Sequence, residues 1–370
     1  MKRTQDKLYP SKPDYWVLAI VGMLVLIGLA FVYSASLGHN PANPTYLLKR
    51  QALWVVLGTV ALVAAARFNY RRIQLYTLPA LGFGIVLLAV VLVVGDRVHG
   101  SIRWLGDIIG QEGSVQPSEL MKLILVSYVA YWLSTKGAEI RHATYGLIPF
   151  SLIVGLVAAL ILLQPDFSTA VIITGVALSM FLVAGAVVWQ LVAVGGLGLA
   201  FAALLVIGSD YRMGRIGAFR QAFIDPLEAG YHVRQTVLTL GSGGLVGRGL
   251  GNGILKFGWL PVGYTDSIYA VIGEELGFLG CVMVLALFAA LAWRGYRIAA
   301  QAQDSFGAFL AAGLTTLLVV QALVNIGVAT AAVPFTGVTL PFISYGGSSM
   351  VVSLVAVGVL FNISGHRIED

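Results

Sequence analysis

The sequence predicts an all-α fold: a polytopic membrane protein of about ten transmembrane helices, forming one integral membrane domain over residues 1–370. Three observations predict it. First, 58% of the residues are hydrophobic and 11% are charged, and mean hydropathy is +0.87; a soluble chain of this length needs far more charged surface. Second, apolar runs recur at the roughly 20-residue length that a bilayer core demands. Third, basic residues gather in alternate short connections, which orients the spans. A count of 44 glycines suits closely packed membrane helices. The single cysteine, Cys281, excludes an internal disulfide and a cysteine-rich zinc site.

The first span covers 15–36, after Lys2, Arg3, Lys7 and Lys12. No small-residue cleavage site follows it, so it reads as a retained helix. Spans at 49–66 and 73–95 flank a turn holding Arg67, Arg71 and Arg72. The fourth, 118–134, starts after Gln116-Pro117 and ends before Lys136 and Arg141. The fifth and sixth, 144–163 and 167–185, meet at Gln164-Pro165-Asp166, and the seventh is 187–208. Residues 184–187 offer no polar loop, yet 167–208 is too long for one crossing. The last three spans are 267–293, 306–332 and 345–363, with Arg294 and Arg297 after the eighth. With ten spans, the basic turns share one side. That side is cytoplasmic, with both termini on it, and Lys49 and Arg50 oppose the bias weakly. This is the orientation expected of a multi-pass protein of a cytoplasmic membrane.

Three connections then face outward: 96–117, the long 209–266 loop between helices seven and eight, and 333–344. In the long loop Met213, Ile216, Phe219 and Phe223 recur at helical spacing beside Arg215 and Arg220, the pattern of an interfacial amphipathic helix. Val233, Val237 and Leu240 suggest a second, after Tyr231 and His232. The glycine-rich run 241–253 provides backbone able to approach closely. It lacks a GK[ST] ending, so it is no nucleotide loop. The net charge of +6 is spread over short loops, so no nucleic acid partner is expected.

Polar residues in or at the ends of spans are costly and are candidates for function. They are Glu119, Lys122, Gln164, Asp166, Asp266, Glu274, Glu275 and Asn325. Glu119 and Lys122 share a helix face, so an ion pair is available. That pair either locks a helix or leaves Lys122 facing an anionic substrate, with Arg103 and Trp104 upstream suited to phosphate and to sugar. Pro117 and Pro165 mark helix starts, where Ser118 or Asp166 can cap free amides. Capping does not explain the glutamine before each proline. Asp266 reads either as the cap of the eighth span or as a desolvated carboxylate that accepts a proton. Of Glu274 and Glu275, at most one shares its face; one of them pairs with a base or caps a broken helix. Neither HExxH nor GxSxG is present.

Pro341-Phe342-Ile343-Ser344-Tyr345-Gly346-Gly347-Ser348-Ser349, preceded by Asn325 and Gly337, resembles the signature of the SEDS family of shape, elongation, division and sporulation proteins. The resemblance extends to Arg103-Trp104, Gln116-Pro117-Ser118-Glu119 with Lys122, Gln164-Pro165-Asp166 and Tyr231-His232-Val233-Arg234-Gln235. It also takes in Gly241-Ser242-Gly243-Gly244, Thr265-Asp266 and Gly273-Glu274-Glu275-Leu276-Gly277, so it spans almost the whole chain. Thr339 to Ser344 and Trp132-Leu133-Ser134 resemble the cell-division branch, FtsW, more than the elongation branch, RodA.

The resemblance implies a peptidoglycan glycosyltransferase that polymerises lipid II into glycan strands by an inverting transfer, releasing undecaprenyl diphosphate. The implied partners are lipid II, the nascent glycan strand, a cognate class B penicillin-binding protein and other divisome or elongasome membrane proteins. Asp266 matches the proposed catalytic aspartate. Substrate-binding roles fall to Arg103, Gln116, Glu119, Lys122, Gln164, Asp166, His232, Gln235, Ser242, Arg248, Lys256, Glu274, Ser344, Tyr345 and Ser348. No cofactor is fixed; a divalent cation, Mg2+ or Mn2+, is the one candidate. The family usually reads Pro-Glu-x-His-Thr-Asp-Phe where this chain has Val262 and Tyr264 before Asp266 and Ser267 after it. A flippase or transporter of the same lipid, and a non-catalytic division scaffold, are the competing readings. The polar set sits at span ends and in the long outer loop rather than at midplane positions of two repeats, which favours the enzyme.

Overall fold

The computed structural model describes residues 12–39, 43–98, 101–104, 115–207, 213–214, 217, 221, 230–260 and 263–366. Among the described residues the elements are helices, apart from one short hairpin. In order the elements are α1 (Tyr15–His39), α2 (Tyr46–Arg67), α3 (Tyr70–Val94), β1 (Asp96–Val98), β2 (Ser101–Trp104), α4 (Pro117–Lys136), α5 (Ile148–Leu163) and α6 (Phe167–Val183). Then come α7 (Val188–Ile207), α8 (Tyr231–Ser242), α9 (Ile268–Ala300), α10 (Ser305–Ala329) and α11 (Gly347–Ser364). The two strands pair antiparallel, with Arg97 opposite Ile102, within the outward connection expected at 96–117. By length and composition, α1, α2, α3, α9, α10, α11 and the stretch Ala143–Leu163 can each cross a membrane, seven among the described residues. α6 and α7 are separate helices, divided at Gly185, whose φ of 93° ends α6 after a last helical carbonyl turn.

α9 outruns its apolar stretch. It continues to Ala300, and Arg294 on its last turns donates to Asp14, before α1, at 2.6 Å. At the same end Arg71 pairs with Asp304 at 3.1 Å, and the Tyr70 amide donates to Asn362 at 3.0 Å. The charged turns therefore lie together at one end of the bundle. The starts of α4, α6, α9 and α11 lie at the other. α10 is the central helix, packing against α4, α6, α9 and α11, while α11 lies along α2 and α1 along α9. The apolar core runs through these helices, from Val17 and Leu24 on α1 to Leu310 and Leu317 on α10 and Val357 on α11.

α9 is broken inside. Gly277 has φ 67° and ψ −164°, outside helical geometry. A break at this depth frees amides and carbonyls that need partners. The glycine-rich run provides them: Phe278 and Leu279 amides donate to Gly244 and Leu245 carbonyls, and Arg248 and Gly249 amides donate to Glu274 and Glu275 carbonyls. Only a side-chain-free residue fits here. A Cβ on Gly247 would lie 2.2 Å from the Glu275 carbonyl oxygen.

Of the first amphipathic helix expected in the long loop, residues 213–214, 217 and 221 are described and are helical, with Met213 exposed; Ile216, Phe219 and Phe223 lie outside the described residues. The second is α8, but its buried positions are the polar ones, Gln235, Thr236 and Thr239. It packs against α9, with Leu240 lying over Gly273, and exposes Leu238. The helix stands where its apolar spacing predicts it.

Candidate functional site

The Pro-started helices α4 and α6 meet through the residue that capping left unexplained. Gln116 donates its side-chain amide to Asp166 Oδ2 and Ser118 Oγ, each at 2.9 Å. Ser118 donates to the same Asp166 oxygen at 3.4 Å, and Asp166 caps α6 by accepting from the Thr169 amide at 3.3 Å. The Gln116 amide reaches Ser348 Oγ at 3.3 Å, tying in the start of α11. Gln164 turns away and donates to the Leu88 carbonyl at 2.9 Å.

One turn into α4, Lys122 Nζ lies 2.7 Å from Glu119 Oε1 and 2.6 Å from Gln321 Oε1. Lys122 is 2% exposed, so the ion pair is formed and sealed. Gln321 passes the contact on, donating to the Thr339 carbonyl at 3.1 Å, while Thr339 and Ser349 hydroxyls stand 2.9 Å apart. Gln321 was missed in the sequence. The signal was there, an amide in the middle of an apolar span.

Asp266 lies in the turn before α9. The first residue outside the helix is Ser267, which makes no side-chain capping bond. Asn325, one turn beyond Gln321 on α10, donates to the Asp266 carbonyl at 3.0 Å and to the Val338 carbonyl at 2.6 Å. The Asp266 carboxylate faces Gly337, where an added Cβ would be 3.5 Å from Oδ2. Ser344 donates to the Thr265 carbonyl at 2.6 Å and accepts from the Leu340 amide. The Tyr345 amide donates to the Tyr264 carbonyl at 2.9 Å, and the two rings meet edge-on with centroids 5.8 Å apart. Burial, then the Asp266 carboxylate, push the Tyr264 phenol up, so it stays protonated at neutral pH. Gln51 on α2, also missed in the sequence, holds the motif from behind by donating to the Ser344 carbonyl at 3.1 Å.

The 336–349 segment thus brings Asp266, Ser344, Tyr345, Ser348, Gln116, Asp166 and, through Gln321, Glu119 and Lys122 into one network. His232 joins its edge, its ring centroid 3.9 Å from that of Phe335. Gln235 is buried one turn further along α8, and Ser242 closes that helix onto the Thr239 carbonyl. Arg103 lies on β2; its side chain falls outside the described part. Among the described residues no cluster of three or more His, Cys, Asp or Glu could hold a metal.

Lys256 and Glu274 belong to a second cluster, around the break in α9. Lys256 Nζ donates to Glu275 Oε1, Ser34 Oγ and the Gly251 carbonyl at 2.7, 2.7 and 2.8 Å. Glu274 Oε1 accepts from the Ile254 and Leu255 amides at 2.8 and 3.2 Å. Arg248 stands 4.0 Å from Glu274 and keeps its side chain 38% exposed. Both acidic roles read from the sequence occur here, since Glu275 meets a base and the pair secures a broken helix.

A sequence profile of the FtsW/RodA/SpoVE family, described as a cell cycle protein, matches residues 15–369. The chain belongs to that family. This FtsW/RodA/SpoVE member is 39% identical to a probable peptidoglycan glycosyltransferase FtsW of Geobacter metallireducens, over 95% of this chain and 94% of that protein. It is 38% identical to stage V sporulation protein E of Bacillus subtilis, over 96% and 98%. The rod shape determining protein RodA of Thermus thermophilus has the same fold, with a TM-score of 0.72 at 28% identity over 97% and 98% of the chains. A chain of a peptidoglycan synthase complex, described for coordinating polymerisation and crosslinking, reaches a TM-score of 0.79 at 28% identity over 97% and 99%. As an FtsW/RodA/SpoVE protein with multiple apolar helices, the chain is a bacterial membrane protein.

Proposed function

We infer that this protein is a peptidoglycan glycosyltransferase. Its substrate is lipid II and its product a glycan strand still carried on undecaprenyl diphosphate. The observation that carries this reading is the placing of Asp266: its backbone carbonyl is held by Asn325, and its carboxylate lies against Gly337 in the network that the 336–349 segment draws together. The relatives named as peptidoglycan glycosyltransferases supply the reaction class.

Asp266 takes the proton of the acceptor GlcNAc 4-hydroxyl as that oxygen attacks C1 of the donor MurNAc. The C1–O bond to the diphosphate breaks on the opposite face, so configuration inverts. A diphosphate leaves without needing a protonated acid partner, and one carboxylate suffices. Arg248, with Arg103 on β2, balances the departing charge. Lys122 acts differently, holding α4 to α10 behind the site.

Ten membrane crossings, with α4, α6 and α7 completing the seven, put both termini in the cytoplasm and the Asp266 end outside. A class B penicillin-binding protein is the proposed partner, crosslinking the strands that this chain polymerises. The test is polymerisation of purified lipid II by the purified protein with that partner, read as gel-resolved glycan chains. Asp266→Asn keeps the size of the side chain and removes the base. It is expected to lower glycan synthesis roughly 100-fold or more while preserving folding. Near-normal synthesis by Asp266→Asn would move the base elsewhere. No synthesis by the unsubstituted protein would favour a transporter.

A further inference from the structure

The turn that carries Asp266 is held by its carbonyls. Those of Tyr264, Thr265 and Asp266, three in succession, accept from the Tyr345 amide at 2.9 Å, the Ser344 hydroxyl at 2.6 Å and the Asn325 side-chain amide at 3.0 Å. Two of those three donors sit on one short turn, residues 340–346. The place of that turn therefore helps to set the place of Asp266.

The 340–346 turn is strained. Phe342, 1% exposed, has φ 65°, a region that a bulky side chain enters only under constraint. The Ser344 amide donates to the Leu340 carbonyl at 2.9 Å, and the Leu340 amide donates to the Ser344 hydroxyl at 2.8 Å. Those bonds are internal, so they shape the turn without fixing its place in the bundle. A conformation this strained persists only where its surroundings over-determine it.

α1 and α2 do so. On α2, the Gln51 side chain donates from Nε2 to the Ser344 carbonyl at 3.1 Å, and its Oε1 accepts from the Gly346 amide at 3.3 Å. Turning the amide over would lose both bonds, so its orientation is fixed. Gln51 is fully buried. Its two bonds bracket Tyr345, the residue whose amide holds the Tyr264 carbonyl. α1 meets the same turn at Gly28, where an added Cβ would lie 2.5 Å from the Phe342 carbonyl oxygen and 2.7 Å from Ile343 Cα.

We propose that Gln51 is a positioning residue for the transfer reaction. Through the backbone of 344–346 it fixes the 264–266 turn, and with that turn the position of the base. This rests on the reading of Asp266 as the base. A base acts only within hydrogen-bond reach of the proton it takes. Its displacement slows the chemical step and leaves substrate binding, which is spread over many contacts, largely intact.

Gln51→Met keeps the length of the side chain and removes both bonds. At a temperature where the variant is fully folded, kcat for glycan synthesis is expected to fall about 10- to 100-fold, with KM for lipid II within about 3-fold of the unsubstituted value. Gly28→Ala displaces the turn from α1 and removes no polar group, so it decides the question if Gln51→Met does not fold. It is expected to show the same split between kcat and KM. Gly22→Ala, in open space on α1, is the control and is expected to leave kcat unchanged. In an Asp266→Asn background, adding Gln51→Met is expected to lower the residual rate by less than about 3-fold, because the base is no longer there to misplace. Normal kcat in the folded Gln51 or Gly28 variant would overturn the positioning role. An equal loss of kcat in both backgrounds would do the same, since Gln51 would then act by another route than Asp266. Both results leave the base in place. Near-normal synthesis by Asp266→Asn alone is the separate result that removes the base, and the positioning role with it.

Discussion

Lys256 Nζ lies 2.7 Å from Glu275 Oε1, with 1% and 0% of the two side chains exposed. This contact joins three pieces of chain: α1 through Ser34, the glycine-rich run through Gly251, and α9 just before its break. Asp266 is carried on the turn leading into that same piece of α9, so the pair bears on the site without touching it.

Removing one partner leaves a buried, uncompensated charge. Lys256→Met is expected to destabilise the protein by about 3–5 kcal/mol. Lys256→Met with Glu275→Gln is expected to recover most of that loss. Thermal unfolding in detergent compares the two, and a double variant as unstable as the single would show that the charge pairing is not what matters.

Glu119 and Lys122 invite the same comparison with a different readout. Lys122→Met is expected to cost stability and glycan synthesis together, because Glu119 and Gln321 both lose their partner. Glu119→Gln with Lys122→Met is expected to restore much of both. A double variant that folds normally yet makes no glycan would place Lys122 on the substrate instead.

Gly277→Ala tests the break in α9. The added Cβ would lie 2.4 Å from the Gly247 amide nitrogen, in a conformation with φ 67°. A loss of about 1–3 kcal/mol from strain alone is expected, with the clash adding to it. Gly175→Ala, in open space on α6, is the control and is expected to be neutral or stabilising by up to ~1 kcal/mol. Equal unfolding temperatures for the two variants would show that the break tolerates a side chain.

Orientation is open to cysteine labelling on a Cys281→Ser background. Leu245→Cys, at a position 72% exposed beside the break in α9, is expected to react with a membrane-impermeant thiol reagent in intact cells. Arg72→Cys, at the charged end, is expected to react only after the membrane is opened. The reverse pattern would turn the bundle over and put the Asp266 end in the cytoplasm.

Helix positions were legible in the sequence because apolar length and the charges at span ends are local properties. α1, α6 and α11 begin within a few residues of where the runs begin, and the Gly185 division follows from length alone. The polar residues of the site were legible too, since a carboxylate or amide in an apolar run has few bland explanations. Which of them meet could not be read from spacing. Gln116 finds Asp166 fifty residues away, Lys122 finds Gln321, Asn325 finds Asp266, and Lys256 finds Glu275. Those choices depend on how α4, α6, α9 and α10 cross, and side-chain periodicity carries no information about crossing partners. Sequence by itself determined the class, the spans and the list of costly polar groups. Tertiary packing alone decided the pairings, because in a low-dielectric interior each buried charge or amide takes the partner that the helix crossings bring within about 3 Å.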